Sequence, residues 1–278
     1  MVIKLVQDPR RCVNTGLNPA LYNGLTGIAP DTNQPIGPYK FYHPPTDGNN
    51  LYAVIVNQNL ISNDYTYVSS ISQPGASWSL VHRSVSTGVA STVLGSPLYG
   101  QSIQAIVEIW TAENIKGASQ TVEINLVGTP CFGAVANIFE YSGLAINSLD
   151  TFGSATTTYA TAGTSASTGT PPTPTTVANE LWLGGICSYG PVMPQPSVRS
   201  QGATVNPPYI GAWQPTNGFE LYDGTLLSLG EPAIPTLVVC SVLLKTVSTL
   251  SSASNPCSSG VTCGNSSWAG CIAAFKGA

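Results

Sequence analysis

Between Ile103 and Leu144 apolar and polar positions alternate through three successive runs. In IQAIVEIW, Ile103, Ala105, Val107 and Ile109 share one face. Gln104 and Glu108 share the other with Ile106 and Trp110. In QTVEINLVG, Val122, Ile124 and Leu126 alternate with Thr121, Glu123 and Asn125. In AVANIFEYSGL, Val135, Asn137, Phe139 and Tyr141 oppose Ala136, Ile138 and Glu140. A side-chain period of two is the signature of a strand, and half-polar alternation predicts one buried face and one wet face. The break at 114–118 contains an Asn and a Gly, as a hairpin turn does. The pattern predicts an antiparallel meander at the centre of a β-sandwich.

The same period recurs on both sides of this stretch. LYAVIVNQN, from Leu51, reads as a first core strand. NDYTYVSSISQPG reads as a second strand that ends in a turn at Pro74-Gly75. SWSLVHRSVS is a third, with Trp78, Leu80 and His82 on one side, and the Gly/Ser-rich 86–100 has room for a short strand. Beyond Leu144 the text is rich in Thr, Ser, Gly and Pro up to Glu180. Such a composition suits a linker, but Thr-rich alternation favours exposed edge strands. ELWLGGICSYG is then a buried strand, and TLVVCSVLLKTV, the most apolar run, is expected at a sheet centre. WAGCIAAFKG is the last strand, with Trp268, Cys271 and Phe275 as core anchors. No amphipathic helix of useful length appears. Many short strands between Gly/Pro turns predict an all-β fold, an antiparallel β-sandwich of jelly-roll type over 49–278. Residues 1–48 differ. Pro9, Pro19, Pro30, Pro35, Pro38, Pro44 and Pro45 predict an irregular, proline-rich N-terminal arm that lies either on its own domain or across a neighbouring subunit. A second irregular excursion is expected at about 188–223.

Composition narrows the function classes. The 278 residues suit one large all-β domain or two small ones. Charged residues are 8% of the chain, against about 25% in ordinary soluble proteins. Hydrophobic residues are 42%, enough for a packed core. The outer surface is therefore nearly uncharged, or covered by neighbours in an assembly. Net charge is -4, and Arg10-Arg11 is the only adjacent basic pair. Nucleic-acid binding needs a basic stripe for phosphates and is not expected. No apolar run reaches the roughly 18 residues of a membrane span. The start, MVIKLVQDPRR, has no apolar signal core, so the expectation is synthesis in a host cytoplasm and release by another route, such as within a virion.

Candidate chemistry is sparse. Seven cysteines leave at least one unpaired within the chain. Cys187 and Cys240 sit in apolar runs and read as buried thiols. Cys257 and Cys263 bracket PCSSGVTCG, where a local disulfide is one of two open readings. Zinc spacing is absent, and neither a metal nor a cofactor is expected. A glycosidase requires two carboxylates facing each other across a cleft. Glu108, Glu123, Glu140 and Asp150 are available, but carboxylates on the wet face of a meander are ordinarily solvated. For Glu140 a specific structural role is expected: accepting backbone N–H bonds from the loop at Ser142-Gly143. His43 lies in the arm and His82 lies mid-strand, and neither has a nucleophile motif beside it. Trp213, Phe219 and Tyr222, with Tyr209 nearby, either stack on sugars or pin the excursion to the sandwich.

The phrases FEYSGL (139–144), SLDTFGSATT, TTVANELWLGG (175–185) and WAGCIAAFK (268–276) follow IVEIWTAENIKG and TVEINLVG in order. Together they resemble a β-sandwich domain that recurs in tailed-phage structural proteins and long bacterial surface proteins. The resemblance spans about 50–276. It implies a binding or structural module and supplies no catalytic residues. The resulting expectation is a non-enzymatic virion protein of a tailed bacteriophage. Its narrower form is a capsid decoration (cement) protein on the outer surface of capsid or tail, oligomeric and seated on the major capsid protein or another virion protein. The alternative is a carbohydrate-binding adhesin. Candidate contact residues are Arg10, Arg11, Tyr22, Tyr39 and Tyr42 in the arm, and Tyr209, Trp213, Phe219 and Tyr222 in the excursion.

Overall fold

The computed structural model describes residues 2–8, 12–13, 36–60, 67–86, 89–90, 102–127, 131–157, 166–191, 215–228, 236–248, 260–261 and 267–278. Among these residues every regular element is a strand. In chain order they begin with β1 (Lys4–Gln7), β2 (Cys12–Val13), β3 (Ile36–Lys40), β4 (Asn50–Leu60), β5 (Tyr67–Ser72) and β6 (Ser79–Val85). Next come β7 (Val89–Ala90), β8 (Ser102–Ala112), β9 (Thr121–Val127), β10 (Cys131–Ser142), β11 (Leu144–Thr157) and β12 (Ala166–Ser167). The last are β13 (Glu180–Pro191), β14 (Glu220–Ser228), β15 (Thr236–Val247), β16 (Gly260–Val261) and β17 (Ser267–Gly277).

These strands make an antiparallel β-sandwich with an added layer. One main sheet runs β1-β10-β4-β8-β6, with β2 on β10 and β7 on β8; the other runs β11-β17-β13-β15-β14. A small sheet, β3-β9-β5, stands apart, and β12 pairs with β16. The composition of β4 explains the layering, because Leu51 to Asn57 are all buried. Tyr52, Val54 and Val56, with Val107, Ile109 and Phe139, pack against Leu181, Leu183 and Phe275 of the second main sheet. Leu51, Ala53 and Ile55, with Trp110 and Ile138, pack against Tyr39, Phe41, Val122 and Ile124 of the small sheet. A strand that is apolar on both faces needs a cover on both.

That requirement overturns the predicted meander. β8 and β10 each pair with β4 rather than with a strand of the meander, and β9 crosses into the small sheet. The 113–120 connection changes layers instead of closing a hairpin. Asn114 and Gly117 take left-handed backbone there, where glycine and asparagine are best tolerated. Ile115 is buried in the small-sheet core. The Lys116 and Ser119 amides donate to the carbonyls of Gly75 and Pro74. In β8 and β10 the predicted wet face is dry, because Glu108 and Glu140 are both 0% exposed, whereas β9 alternates as predicted, with Glu123 exposed and Val122 and Ile124 buried.

Elsewhere β11 is an edge strand, as the Thr-rich text predicts. TLVVCSVLLKTV is interior, but the middle place belongs to β13. Glycine lowers the apolarity of β13, and at Gly184 the missing side chain makes room for Thr168, whose methyl lies 2.9 Å from where a Cβ would stand. Parts of the proline-rich stretch 1–48 are strands. β1 pairs with β10 and β3 pairs with β9, while Ile3, Tyr39 and Phe41 are buried in the two cores.

Candidate functional site

The outer face of β11, β17 and β13 carries the arrangement with most chemical content. The chain from Ala166 to Asn179 lies across this face as a strap. Its seat is made by glycines. A Cβ at Gly270 would stand 2.2 Å from the Ser167 carbonyl oxygen, and one at Gly153 would stand 2.7 Å from Pro171 N. Gly169 in the strap has a φ of +84° and approaches the Ser154 carbonyl just as closely. Side chains on either partner would hold the strap off the sheet. Ala166, Thr168 and Thr175 are buried beneath or within it, and Thr151 Oγ1 lies 2.9 Å from Thr173 Oγ1.

Three ionisable side chains meet where the strap enters β13. Glu180 and Lys276 are directly opposite each other in the β13–β17 register. Asp150 is the extra residue of a β-bulge, since Leu149 pairs with Phe275 and Thr151 pairs with Ala274. A bulge re-aims its side chain, and here Asp150 turns to the strap and to Lys276. The Thr176 amide and hydroxyl each donate to one Asp150 oxygen, both at 2.6 Å. Lys276 Nζ lies 4.0 Å from Asp150 Oδ1.

Burial pushes the Glu180 carboxyl up to about 7; neighbouring Asp150 adds to the rise, and the Trp182 indole N–H opposes it. That N–H donates to Glu180 Oε2 at 2.7 Å. Burial alone would raise Asp150 too, but hydrogen bonds from Thr176 and Glu180 and the charge of Lys276 outweigh it and hold Asp150 below the usual carboxylate range. Glu180 Oε1 is buried with no hydrogen-bond donor. The patch thus holds two carboxyl groups whose pKa values are pushed apart, Glu180 up and Asp150 down, and the Lys276 side chain, with the strap above.

The other carboxylates fasten segments. Glu140 accepts from the Thr46 amide at 2.8 Å, from Asn49 Nδ2 at 2.5 Å and from Gln7 Nε2 at 2.5 Å. Its donors therefore come from the proline-rich stretch and β1, not from the predicted loop at Ser142-Gly143. Glu113 accepts from the amides of Asn147 and Ser148 at 2.7 and 2.9 Å. Glu108 pairs with Arg83, which also donates to the Val68 carbonyl and stacks on the Tyr67 ring. Burial pushes Glu108 up against the pull of Arg83. Glu108, Glu123 and Glu140 do not lie on neighbouring strands, because β8, β9 and β10 do not pair with one another. His82 is half-buried, its ring 4.8 Å from that of Phe152, and burial lowers its pKa.

Of the predicted contact residues, Tyr42 is 61% exposed. Tyr39 and Phe219 are core residues instead, 1% and 6% exposed, because each covers a sheet face that water would otherwise reach. Phe219 packs near Trp182, and Lys245 clamps its turn by donating to the Asn217 carbonyl at 2.7 Å. Tyr222 is partly buried, edge-on to Phe139 at 4.8 Å. Arg10, Arg11, Tyr22, Tyr209, Trp213, Cys257 and Cys263 lie outside the described residues. Cys187 and Cys271 are buried free thiols, and Cys240 stands opposite Cys187 in the backbone register. Glu180 and Lys276 were missed by sequence reasoning. The available signal was Glu-Leu-Trp, which places a carboxyl and an indole on one strand face two residues apart.

The fold and this site define the chain as an all-β protein of stacked antiparallel sheets with a strapped outer face. Comparison with known proteins finds no matching family model, no matching curated protein and no matching solved structure.

Proposed function

We propose that the chain is a non-enzymatic structural protein of a tailed-phage virion, a decoration protein that cements the outer surface of the capsid. The observation that carries this reading is the use to which carboxylates are put. Glu108, Glu113, Glu140 and Asp150 each bind backbone amides or an arginine from a segment distant in sequence. Such ties stabilise loops and edges of a scaffold, and they occupy the lone pairs that acid–base catalysis would require. A nearly uncharged chain, 8% charged overall, suits packing between neutral neighbours. In this reading the protein assembles as a symmetric oligomer at joints of the major capsid protein. The glycan-binding alternative loses support from the burial of Phe219.

The test is co-sedimentation of the purified protein with undecorated heads, followed by heating of the particles. Saturable binding that raises the temperature of genome release supports the proposal. Absence of binding, together with saturable binding on a glycan array, overturns it in favour of the adhesin reading.

A further inference from the structure

The strap across β11, β17 and β13 closes at one end over a carboxyl group that is poorly placed to carry a charge. Glu180 Oε1 is buried with no hydrogen-bond donor, and Oε2 accepts from the Trp182 indole at 2.7 Å. From this arrangement we infer that residues 166–179 form a lid whose closure over the outer face requires a proton on Glu180. The device is independent of the proposed role in a virion.

Few charged groups face Glu180. Asp150 comes from β11 and Lys276 from β17, and Lys276 is directly opposite Glu180 in register. On β15 the cation is Lys245, opposite Trp182. Its ammonium donates to the Asn217 carbonyl at 2.7 Å and lies 4.9 Å over the Trp182 ring. The strap itself, ASTGTPPTPTTVAN, has no ionisable side chain. It offers the Thr175 hydroxyl to Glu180 and the Thr176 amide and hydroxyl to Asp150. Lys276 Nζ stands 4.0 Å from Asp150, which hydrogen bonds and this cation keep ionised. A charge on Glu180 would therefore stand beside an existing carboxylate, with the local cation already engaged. Burial and a like charge both oppose ionisation, and the Glu180 carboxyl is raised to about 7 accordingly.

Lifting the strap removes both obstacles. Glu180 is 0% exposed and Thr175 beside it is 6% exposed, so water reaches Oε1 when the strap moves away. At this end the strap is held by the Thr176 bonds to Asp150. Elsewhere it is seated by backbone contact at Gly153, Gly169 and Gly270. The closed form binds a proton that the open form, with an ordinary carboxyl, releases. Opening therefore rises with pH from 4.5 to about 7 and levels off above. The uncovered surface is apolar, because the strap's Ala166 packs in one cluster with Ile272 and Ala274 of β17. The open form thus presents at neutral pH a face that is hidden in acid.

Hydrogen exchange of the full-length protein, corrected for the intrinsic rate at each pH, tests this across 166–179 and at the Thr176 amide. Protection of the strap is expected to fall about thirtyfold from pH 4.5 to about 7 and to change little above. It is also expected to stay below that of Leu51–Val56 in β4 throughout. Glu180→Gln, which keeps the shape and cannot ionise, is expected to give strap protection independent of pH. Strap protection that is flat with pH in the wild type overturns the inference. So does a pH dependence that survives in Glu180→Gln. Protection equal to that of β4 at every pH overturns it as well, because the strap then opens only when the whole chain unfolds. The wild-type profile decides by itself if the variant fails to fold.

Discussion

Replacing Gly270 with alanine puts a methyl carbon 2.2 Å from the Ser167 carbonyl oxygen, and 3.0 Å from both Ser167 C and Thr168 Cα. These are backbone atoms of the strap, so no rotamer change relieves the clash. Either the strap lifts or β17 bends. Overpacking of this kind costs about 1–3 kcal/mol, and lifting the strap also exposes Ala166 and Thr168, which are now buried. The expected loss for Gly270→Ala is about 3 kcal/mol. Gly184→Ala is a graded comparison, because its Cβ would meet only the Thr168 methyl at 2.9 Å, and the next atoms lie at 3.5 Å or beyond. Rotation of Thr168 relieves that contact, so about 1 kcal/mol is expected. Gly48→Ala is the control for backbone strain alone, since its φ is +86° and nothing lies within 4 Å; its cost is about 1 kcal/mol, with no effect on the strap. Urea denaturation measures the three losses, and hydrogen exchange over 166–176 locates them. If Gly270→Ala is no less stable than Gly184→Ala, or leaves exchange of the strap unchanged, the close-seated strap is refuted.

Three further outcomes follow from the buried charges and the arm. Glu180 has its carboxyl raised from 4.5 to about 7. The folded state then holds a proton that the unfolded state releases, so its stabilising contribution is complete below pH 4.5 and is lost as pH rises to about 7. At about 1.4 kcal/mol per pH unit the loss is about 3.5 kcal/mol, and solvent screening reduces it to about 2. Urea melts across this range should show the slope, and adding Glu180→Gln should flatten it. Arg83→Ala leaves the fully buried Glu108 uncompensated and should cost about 3–5 kcal/mol at neutral pH. The double change Arg83→Met with Glu108→Gln should recover most of it, and a double variant as unstable as the single one contradicts this account. Deleting residues 1–45 removes Ile3, Tyr39 and Phe41 from the cores and frees Glu140 from Gln7. Loss of cooperative unfolding in calorimetry is expected, whereas a folded truncated chain shows that the sandwich stands without them.

How far the sequence was legible differs from residue to residue. The strands themselves were readable, since a period of two and Gly/Pro punctuation are local properties. β4, β6, β8, β9, β10, β13, β15 and β17 fall where alternation or apolar runs place them. The irregular reading of 1–48 passed over β1 and β3 because proline punctuation masks short edge strands, which proline tolerates. Cys187 was legible as a buried thiol for the same local reason. Glu108 and Glu140 were misread as wet because a polar residue in an alternating strand looks the same whether water or Arg83 satisfies it.

The order of strands and the site were decided only by the tertiary structure. The alternation in β8, β9 and β10 says that each has two faces but does not say which neighbour covers them. The two-sided apolarity of β4 imposes the answer by drawing β8 and β10 to its edges and β9 into a separate cover. The Asp150–Glu180–Lys276 patch depends on a bulge and on a cross-strand register. Both are set by long-range pairing, and neither leaves a mark in the local text. The sequence by itself determined an all-β chain with a large core and few charges. Folding decided which of those charges meet, because burial between layers brings together residues that lie far apart along the chain.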